Sequence, residues 1–424
     1  MADPQTQICG TQTCWVGRVA IDPRAPVPLA GYVGRVAAAG TPAHPMLEAN
    51  WFAQNSPAGL CILLAIDALF SSAAFEDGLR TALIAQGAAV AQITVVASHS
   101  HFAPQLDPTK PKLGTLDPAH LAHVTQTIAT DIAKRSTAPA TALDHIAYGS
   151  AFNGQSVFRR RPGLRLTRKP PFLRRDTIMA PAPGTAIPQD LRLWVLRDAG
   201  NQALACIACW PCHPVSRADH SQMSPDYVGA IRQALRTALH ADLPVIFLPG
   251  CSGDIRPDFR RPFLSKRTLA PYPLQPGFAR PTSMQQQAFD AQVAHTTQQA
   301  LVGLTRIPMT DTFEWSTVQI TLDVDGPAPV MPVTCINLGS LRVVGLGAEP
   351  AMGWPAALGL DPATADVVVT GYTGPVFGYL PLPSQVGEGG YEVTGFRTAF
   401  GFAGRYRSKS DIMPTLTQAV DTIS

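Results

Sequence analysis

The chain has 424 residues, of which 46% are hydrophobic and 15% are charged, so it can bury a substantial core and is not disordered as a whole. Its 33 basic and 30 acidic residues leave a net charge of +3, which is far too small for a general nucleic-acid binder. No apolar run reaches the ~18–20 residues that a membrane span needs. The start of the chain lacks the basic and apolar regions of a signal peptide. We therefore predict a soluble, cytoplasmic protein without stable membrane insertion.

Apolar runs of strand length alternate with helical patterns along much of the chain. The predicted helices lie at residues 73–86, 117–135, 224–240 and 284–304. The predicted strands lie at residues 61–66, 93–97, 191–196, 203–210, 245–248, 333–338, 341–346 and 367–370. This alternation predicts an α/β fold built on a mixed sheet flanked by helices.

Prolines and glycines separate these elements and indicate long ordered loops, the clearest of which is the Pro-rich stretch at about 262–283. Two basic clusters lie at 159–175 and 260–267. Each is either a solvated loop face or a surface that collects an anionic substrate or partner.

Polar residues follow the predicted buried strands at the positions where open α/β sheets place their ligand sites. His99 and His101 follow one strand, His213 follows another, Glu349 follows a third, and Tyr379 comes after a fourth and a short loop. Two histidines and a carboxylate match a three-ligand zinc set with an open position for water. The alternative is that each residue is structural, because a His-X-His pair on a strand also occurs on ordinary surfaces.

Other sites are less well supported by the sequence. Cys206, Cys209 and Cys212 are spaced in a way that could suggest a metal cluster, but buried apolar packing explains them better. Eight cysteines are too few for a disulfide scaffold. The chain lacks a dinucleotide-binding glycine fingerprint after a strand, a Walker A loop and a nucleophile elbow, which disfavours nucleotide binding and serine-hydrolase chemistry.

Six segments resemble, in order, motifs of the neutral/alkaline (non-lysosomal) ceramidase family. ASHSHFAP resembles ASHTHSGP, WPCHPVS resembles FAVHPTS, and SPDYVGA resembles SGDNKGYA. PGCSGDIRPDF is similar to segments ending in GD-V-SPN or GN-L-SPN, and GLGAEPAMGWPAAL is similar to PGEFTTMAGRRL. GYTGPVFGYLPLPSQVGEGGYE resembles the stretch Y-X-X-YVTTREEY…RYEG. Together with weaker matches near the start, they cover about residues 19–400.

The resemblance implies a Zn²⁺ amidohydrolase, because family members cleave the amide of ceramide into a fatty acid and sphingosine. Carried over motif by motif, the metal ligands are His99, His213, Glu349 and Tyr379. Tyr379 could instead donate a hydrogen bond to the developing oxyanion. His101 is implied to lie beside the metal, where it shuttles a proton or holds the tetrahedral oxygen.

Two departures from the family pattern concern arginines. Arg256 stands where the family has a serine, and its guanidinium could contact the substrate by gripping a carboxylate or phosphate. The alternative is that Arg256 pairs with Asp254 or Asp258. The arginine of the family's NINRS segment is displaced in FNGQSVFRRRP, where Arg159 and Arg160 are the candidate replacements.

The hypothesis is therefore a zinc-dependent amidohydrolase that acts on a small acylated amine, anionic rather than ceramide itself. We expect one ceramidase-like catalytic domain over residues 1–424, without the C-terminal immunoglobulin-like domain of many ceramidases. The alternatives are zinc-assisted ester or lactone hydrolysis, amide cyclisation, or ligand binding without turnover. The oligomeric state stays open.

Overall fold

The structure is a computed structural model that describes residues 4–9, 12–35, 46–166, 170, 173–260, 277–307, 309–310, 313–407 and 412–423. In these ranges the α-helices are α1 (Ala73–Ala85), α2 (Pro118–Ser136), α3 (Val228–Leu239), α4 (Ser283–Ala300), α5 (Trp354–Ala357), α6 (Pro383–Val386), α7 (Arg397–Phe400) and α8 (Ile412–Ile423). A 3₁₀ turn spans Pro111–Leu113 and a π-helical turn spans Tyr391–Gly395.

The strands of the first half are β1 (Gln5–Cys9), β2 (Thr13–Ala20), β3 (Glu48–Ser56), β4 (Gly59–Ile66), β5 (Val90–Ala97), β6 (Thr141–Ala142), β7 (His145–Phe152), β8 (Ser156–Phe158), β9 (Arg160–Leu166), β10 (Leu173–Met179), β11 (Asp190–Arg197) and β12 (Ala203–Cys209). Those of the second half are β13 (Val245–Leu248), β14 (Ile255–Pro257), β15 (Thr305–Ile307), β16 (Phe313–Thr321), β17 (Val324–Asp325), β18 (Val330–Leu338), β19 (Leu341–Leu346), β20 (Glu349–Pro350), β21 (Val367–Thr370), β22 (Tyr379–Leu380) and β23 (Arg405–Tyr406).

Three five-stranded sheets in the described part of the chain follow one plan. Their strand orders are β5-β4-β3-β2-β6, β13-β12-β11-β7-β15 and β1-β16-β18-β19-β21. Each sheet is antiparallel except for one pair at its edge, and these parallel pairs are β4–β5, β12–β13 and β19–β21. The α/β class predicted from the sequence is confirmed, and the protein contains several mixed sheets rather than one.

A helix joins the two strands of each parallel pair, as a parallel connection requires. α1 lies between β4 and β5, α3 between β12 and β13, and α5 between β19 and β21. The loops that follow the edge strands are in contact. The Gly371 amide donates to the Gly250 carbonyl (3.0 Å), and the Ala97 amide donates to the Tyr372 carbonyl (3.0 Å). The carboxyl ends of the three parallel pairs therefore meet in one place.

The core explains why β4, the neighbour of the edge strand β5, is apolar throughout. Leu63 of β4 faces a cluster shared by all three sheets, which also contains Trp194 and Ile336. Its neighbours Ile62 and Leu64 point the other way, into the layer that packs under α1 and α2. Because both faces of β4 are covered, apolar residues follow one another without alternation.

Local sequence signals set the helix starts. The Ser72 side chain accepts a hydrogen bond from the Phe75 amide (3.2 Å) at the start of α1. Asp117 accepts from the His120 amide (2.8 Å) at the start of α2, whose first residue is a proline. Thr282 opens α4 with a capping box. Among the described helices, none combines the length and hydropathy that a bilayer crossing requires.

The structure describes only parts of the predicted Pro-rich stretch and of the two basic clusters. Most of the Pro-rich stretch at 262–283 lies outside the described residues, as do Arg261, Lys266 and Arg267 of the second basic cluster. The first basic cluster is not a solvated loop at its start, because Arg159 and Arg160 are each 3% exposed. β9 and β10, which follow, form a two-stranded antiparallel hairpin.

Burial of Glu76 in the first turn of α1 predicts a pH-dependent loss of stability. Ser71 donates to its carboxyl group (3.0 Å), but burial raises the pKa of Glu76 to about 7. The unfolded chain ionises at lower pH than the folded chain, so stability falls as pH rises between the two pKa values and stays reduced above the folded one. Glu76→Gln should therefore stabilise the protein at pH 8 by about 1–3 kcal/mol and have little effect near pH 4.5.

Urea unfolding of Glu76→Gln at both pH values checks this prediction, with the exposed α8 variant Asp421→Asn as the control. Equal stability of Glu76→Gln and the wild type at pH 8 would contradict it.

Candidate metal centre

His99 lies in the loop directly after β5, where the backbone turns sharply. Its φ is 62°, a left-handed conformation that is uncommon for a residue with a side chain. The ring stacks on Tyr372 with a centroid separation of 4.2 Å, and Nδ1 lies 3.0 Å from the Leu69 carbonyl oxygen. Because a carbonyl only accepts, Nδ1 carries a proton, and in the neutral ring Nε2 keeps its lone pair.

His213 follows β12 and is oriented in the same way. Its Nδ1 lies 3.2 Å from the Ser252 carbonyl oxygen, so Nε2 again has the free lone pair. The two Nε2 atoms of His99 and His213 face each other at 3.0 Å. Two lone pairs at this distance repel each other, and a cation bound between them would relieve that repulsion.

Glu349 completes a triangle of donors. Its Oε2 lies 3.3 Å from the Nε2 of His99 and 3.7 Å from the Nε2 of His213. The residue is 1% exposed, and neither carboxylate oxygen has a hydrogen-bond partner among the described residues. Ligands of a tetrahedral ion with bonds of ~2.0–2.1 Å are ~3.3 Å apart, which is close to the observed edges. The three donors therefore fit a divalent metal ion.

His101 brings a further nitrogen to the same place. Its Nε2 lies 3.2 Å from the Nε2 of His99, and the ligand atoms of the three histidines all lie within 4.8 Å of one another. Arg35 fixes the backbone by donating to the His101 carbonyl (3.0 Å). Gly31 packs so closely that a Cβ there would lie 2.7 Å from the His101 Cα, and its φ is +108°, so the position requires glycine.

The electrostatics keep two of these rings neutral. Burial lowers the pKa of His101 well below its usual range, and the nearby His99 lowers it further. Burial also lowers the pKa of His213, with a second contribution from the Arg159 guanidinium. A metal ion would therefore not have to displace protons from His101 or His213 near neutral pH.

Tyr379 lies beside Glu349, because the two residues are partners in the parallel β20–β22 pair. Arg159 donates to the Tyr379 hydroxyl (3.0 Å) and, through Nε, to the Glu392 carboxylate (2.8 Å). Burial raises the pKa of Tyr379 well above its usual range, and the opposing effect of the Arg159 charge does not cancel this. Tyr379 is therefore a neutral phenol that can donate a hydrogen bond.

Comparison with solved structures identifies the fold of the chain. The crystal structure of neutral ceramidase from Pseudomonas aeruginosa matches with a TM-score of 0.64 and 13% identity, covering 99% of this chain and 73% of that chain. A ceramidase complexed with C2 matches with a TM-score of 0.65 and 14% identity, covering 99% of this chain and 74% of that chain. The chain has the neutral ceramidase fold. The ceramidase-like fold predicted from the six motifs is confirmed. No protein-family model and no curated protein sequence matches the chain.

The motif arginines of this ceramidase fold have distinct surroundings. Arg159, a candidate replacement for the NINRS arginine, reaches the Tyr379 hydroxyl, whereas Arg160 donates to Glu392 (2.8 Å). Arg256 is half-buried in β14 and does not pair with either neighbouring aspartate, so the alternative considered for it is wrong. Asp254 accepts from the Met352 amide (2.8 Å) and the Gln385 side chain (2.9 Å), while Asp258 pairs with Arg260 (2.7 Å).

Four further residues at this centre were not predicted as functional from the sequence: Tyr32, Arg35, Tyr372 and Glu392. Tyr372 is the second residue after the predicted strand 367–370, so the strand-end rule that finds His99 could also have found it. Glu392 ends the last motif that resembles the ceramidases. Tyr32 ends one of the weaker motif matches near the start of the chain, whereas Arg35, in the loop that follows, has no signal of this kind.

Proposed function

We propose that the protein is a zinc-dependent amidohydrolase that cleaves the amide bond of an acylated amine. One observation carries the proposal. The Nε2 atoms of His99 and His213 face each other at 3.0 Å beside the buried carboxylate of Glu349, which has no hydrogen-bond partner among the described residues. Nitrogen and carboxylate donors in this number suit Zn²⁺ with an open position. The ceramidase fold supports amide hydrolysis as the reaction.

His99, His213 and Glu349 would hold the ion. When bound, Zn²⁺ supplies Lewis acidity for an amide carbonyl and a lowered pKa for water. Tyr379, which the family resemblance implies as a further ligand, is better suited as a hydrogen-bond donor because its phenol is kept neutral. It would then stabilise negative charge on the amide oxygen in the transition state.

His101 would move protons during the reaction. It is half-buried, and its Nδ1 has no hydrogen-bond partner among the described residues. A neutral imidazole beside the metal donors can accept a proton from the attacking water and deliver it to the leaving amine. Arg159 would hold Tyr379 in position from the other side.

We also propose that residues 1–424 act as one catalytic unit. The three donors come from three successive sheets, at residues 99, 213 and 349, so no single sheet can supply the site alone.

Amine release by the purified protein tests the proposal. We expect a chelator to reduce cleavage of N-octanoyl amides by at least about 10³-fold and one equivalent of Zn²⁺ to restore it, because the metal supplies several kcal/mol of transition-state stabilisation. Octanoyl esters and lactones are assayed in parallel. Turnover of the esters and lactones alone would mean that the protein catalyses other zinc-assisted acyl chemistry and not amide hydrolysis. Zinc uptake without turnover of any compound would mean that the protein binds a ligand without catalysis.

A further inference from the structure

The guanidinium group of Arg256 has no acidic partner in the part of the chain that the structure describes. Its Cζ lies 4.2 Å from the centroid of the Phe278 ring, and its Nε is buried without a hydrogen-bond partner. The nearest carboxylates in sequence, Asp254 and Asp258, are occupied by other donors. Within the described ranges, no carboxylate forms an ion pair with Arg256. A guanidinium that is partly removed from water and unpaired is costly, so an anion that binds it recovers that cost.

Arg256 is next to the proposed metal centre. The preceding residue, Ile255, accepts a hydrogen bond from the His213 amide through its carbonyl (3.3 Å). Across the β14–β8 pair, Arg256 is opposite Val157, two residues before Arg159. The backbone of Arg256 therefore lies beside that of His213, and Arg159 and Tyr379 are close enough to influence the charge of Arg256.

Positive charges from several arginines, including Arg256, lie around Tyr32. Tyr32 stacks on His220 at 4.7 Å and lies 5.1 Å from the ring of His101. Although burial raises the pKa of Tyr32 to about 12, three guanidinium groups oppose this rise, and the largest of these effects comes from Arg256, followed by Arg35 and Arg280. The three arginines thus share one region beside His101.

The neighbouring arginine is already engaged, unlike Arg256. Arg35 donates to the carbonyl groups of Ala30 (2.9 Å) and His101 (3.0 Å). Arg256 presents a fork whose geometry matches one planar carboxylate. Burial lowers the pKa of Arg256 to about 10, but the group stays charged at neutral pH.

We propose that Arg256 binds a carboxylate of the substrate, so that the amide cleaved is that of an N-acyl amino acid or a similar acid. The role of the bound acid as a substrate rests on the proposed amidohydrolase function. Binding of its carboxylate by Arg256 does not depend on turnover. A neutral acyl amide would leave Arg256 unpaired, and this difference is the source of the selectivity.

The experiment measures binding and turnover separately. Isothermal calorimetry of the zinc-loaded protein uses two non-cleavable ketones. One is the analogue of N-octanoylglycine in which a methylene group replaces the amide NH, and the other is the same ketone with a hydroxymethyl group instead of the carboxylate. We expect the wild type to bind the acid at least about tenfold more tightly than the alcohol. Arg256→Gln should bind both equally, while the exposed variant Arg306→Gln should keep the wild-type preference.

Arg256→Lys is the second variant, in case Arg256→Gln does not fold. It keeps the charge but lacks the fork, so its preference should fall below that of the wild type. An unchanged preference in either variant, or no preference in the wild type, would overturn the proposal. Tighter binding of a phosphorylated alcohol than of the acid would overturn the choice of carboxylate.

Amine release from N-octanoylglycine and N-octanoylethanolamine then separates the two proposals. Selective binding of the acid without amine release from either compound would refute the amidohydrolase and leave the carboxylate site intact. Equal turnover of both compounds, with equal losses in Arg256→Gln, would refute the carboxylate site and leave the amidohydrolase intact.

Discussion

His99→Ala and Glu349→Gln should each reduce bound zinc from about one equivalent to near zero and reduce amide cleavage by at least about 10³-fold. The reason is geometric. The Nε2 of His99 is the shared point of the cluster, at 3.0 Å from His213, 3.2 Å from His101 and 3.3 Å from the Glu349 carboxylate. Glu349 supplies the negative charge that offsets a divalent ion in a buried site. Elemental analysis and amine release on the same preparations measure both effects.

The control for these variants is His295→Ala. It removes an exposed histidine of α4, a helix that contributes none of the proposed metal donors. It should keep both the metal and the activity. Circular dichroism of all variants shows whether the fold survives. One equivalent of zinc in folded His99→Ala would place the metal elsewhere and defeat the proposed centre.

Strand ends were predictable from the sequence because the strands before them are buried on both faces. β5, β12 and β19 are largely apolar and are each buried over their last four residues, and the first polar groups after such runs lie at the sheet edge. The sequence could not show that His99 and His101 leave the strand and converge through a left-handed turn. In that turn the His99 ring packs against Tyr372, which lies in the loop after an edge strand of another sheet.

Strands with buried polar residues were missed for a physical reason. β3 carries Glu48 and Asn50 inside the protein, which hides the apolar pattern. Glu48 is tolerated there because Arg236 donates to it (2.8 Å) from α3. A partner so distant in the chain cannot be identified from local periodicity.

The sequence left the first basic cluster open between a solvated loop face and a surface that collects an anion, and it could not show the ion pairs at the start of the cluster. No acidic residue lies near Arg159 and Arg160 in the sequence, so nothing there indicates how they are paired. In the structure both donate to Glu392 at 2.8 Å, and this acid is more than 200 residues away. Ion pairs of this kind are set by the fold, so composition alone cannot tell a buried arginine from a surface one.

The three sheets share one plan, although the sequence shows no internal repeat at a fixed period. In each case, three antiparallel strands, a helix and a parallel edge strand follow in order. Hydrogen bonding and burial constrain the backbone but allow many side chains, so the donors at equivalent edges differ. His213 and Glu349 both follow the first strand of a parallel pair, whereas His99 follows the second.

Tyr379→Phe should keep about one equivalent of zinc but lower kcat for amide cleavage by about 10²–10³-fold, the usual loss when one oxyanion donor is removed. Burial holds the pKa of Tyr379 well above its usual range, so the phenol keeps its proton near neutral pH and can donate it to a hydrogen bond. The expected pattern is a fall in kcat with little change in KM, because the bond strengthens only in the transition state. Steady-state kinetics and metal analysis check both parts.

Arg159 extends this prediction, because it positions Tyr379 through the 3.0 Å hydrogen bond and is itself fixed by Glu392. Arg159→Met should produce a kcat loss similar to that of Tyr379→Phe, and the double variant should lose little more, since both changes remove the same hydrogen bond to the substrate oxygen. Arg159→Lys should recover part of kcat. Loss of zinc from folded Tyr379→Phe would instead show that Tyr379 is a metal ligand, and fully additive losses in the double variant would separate Arg159 from Tyr379.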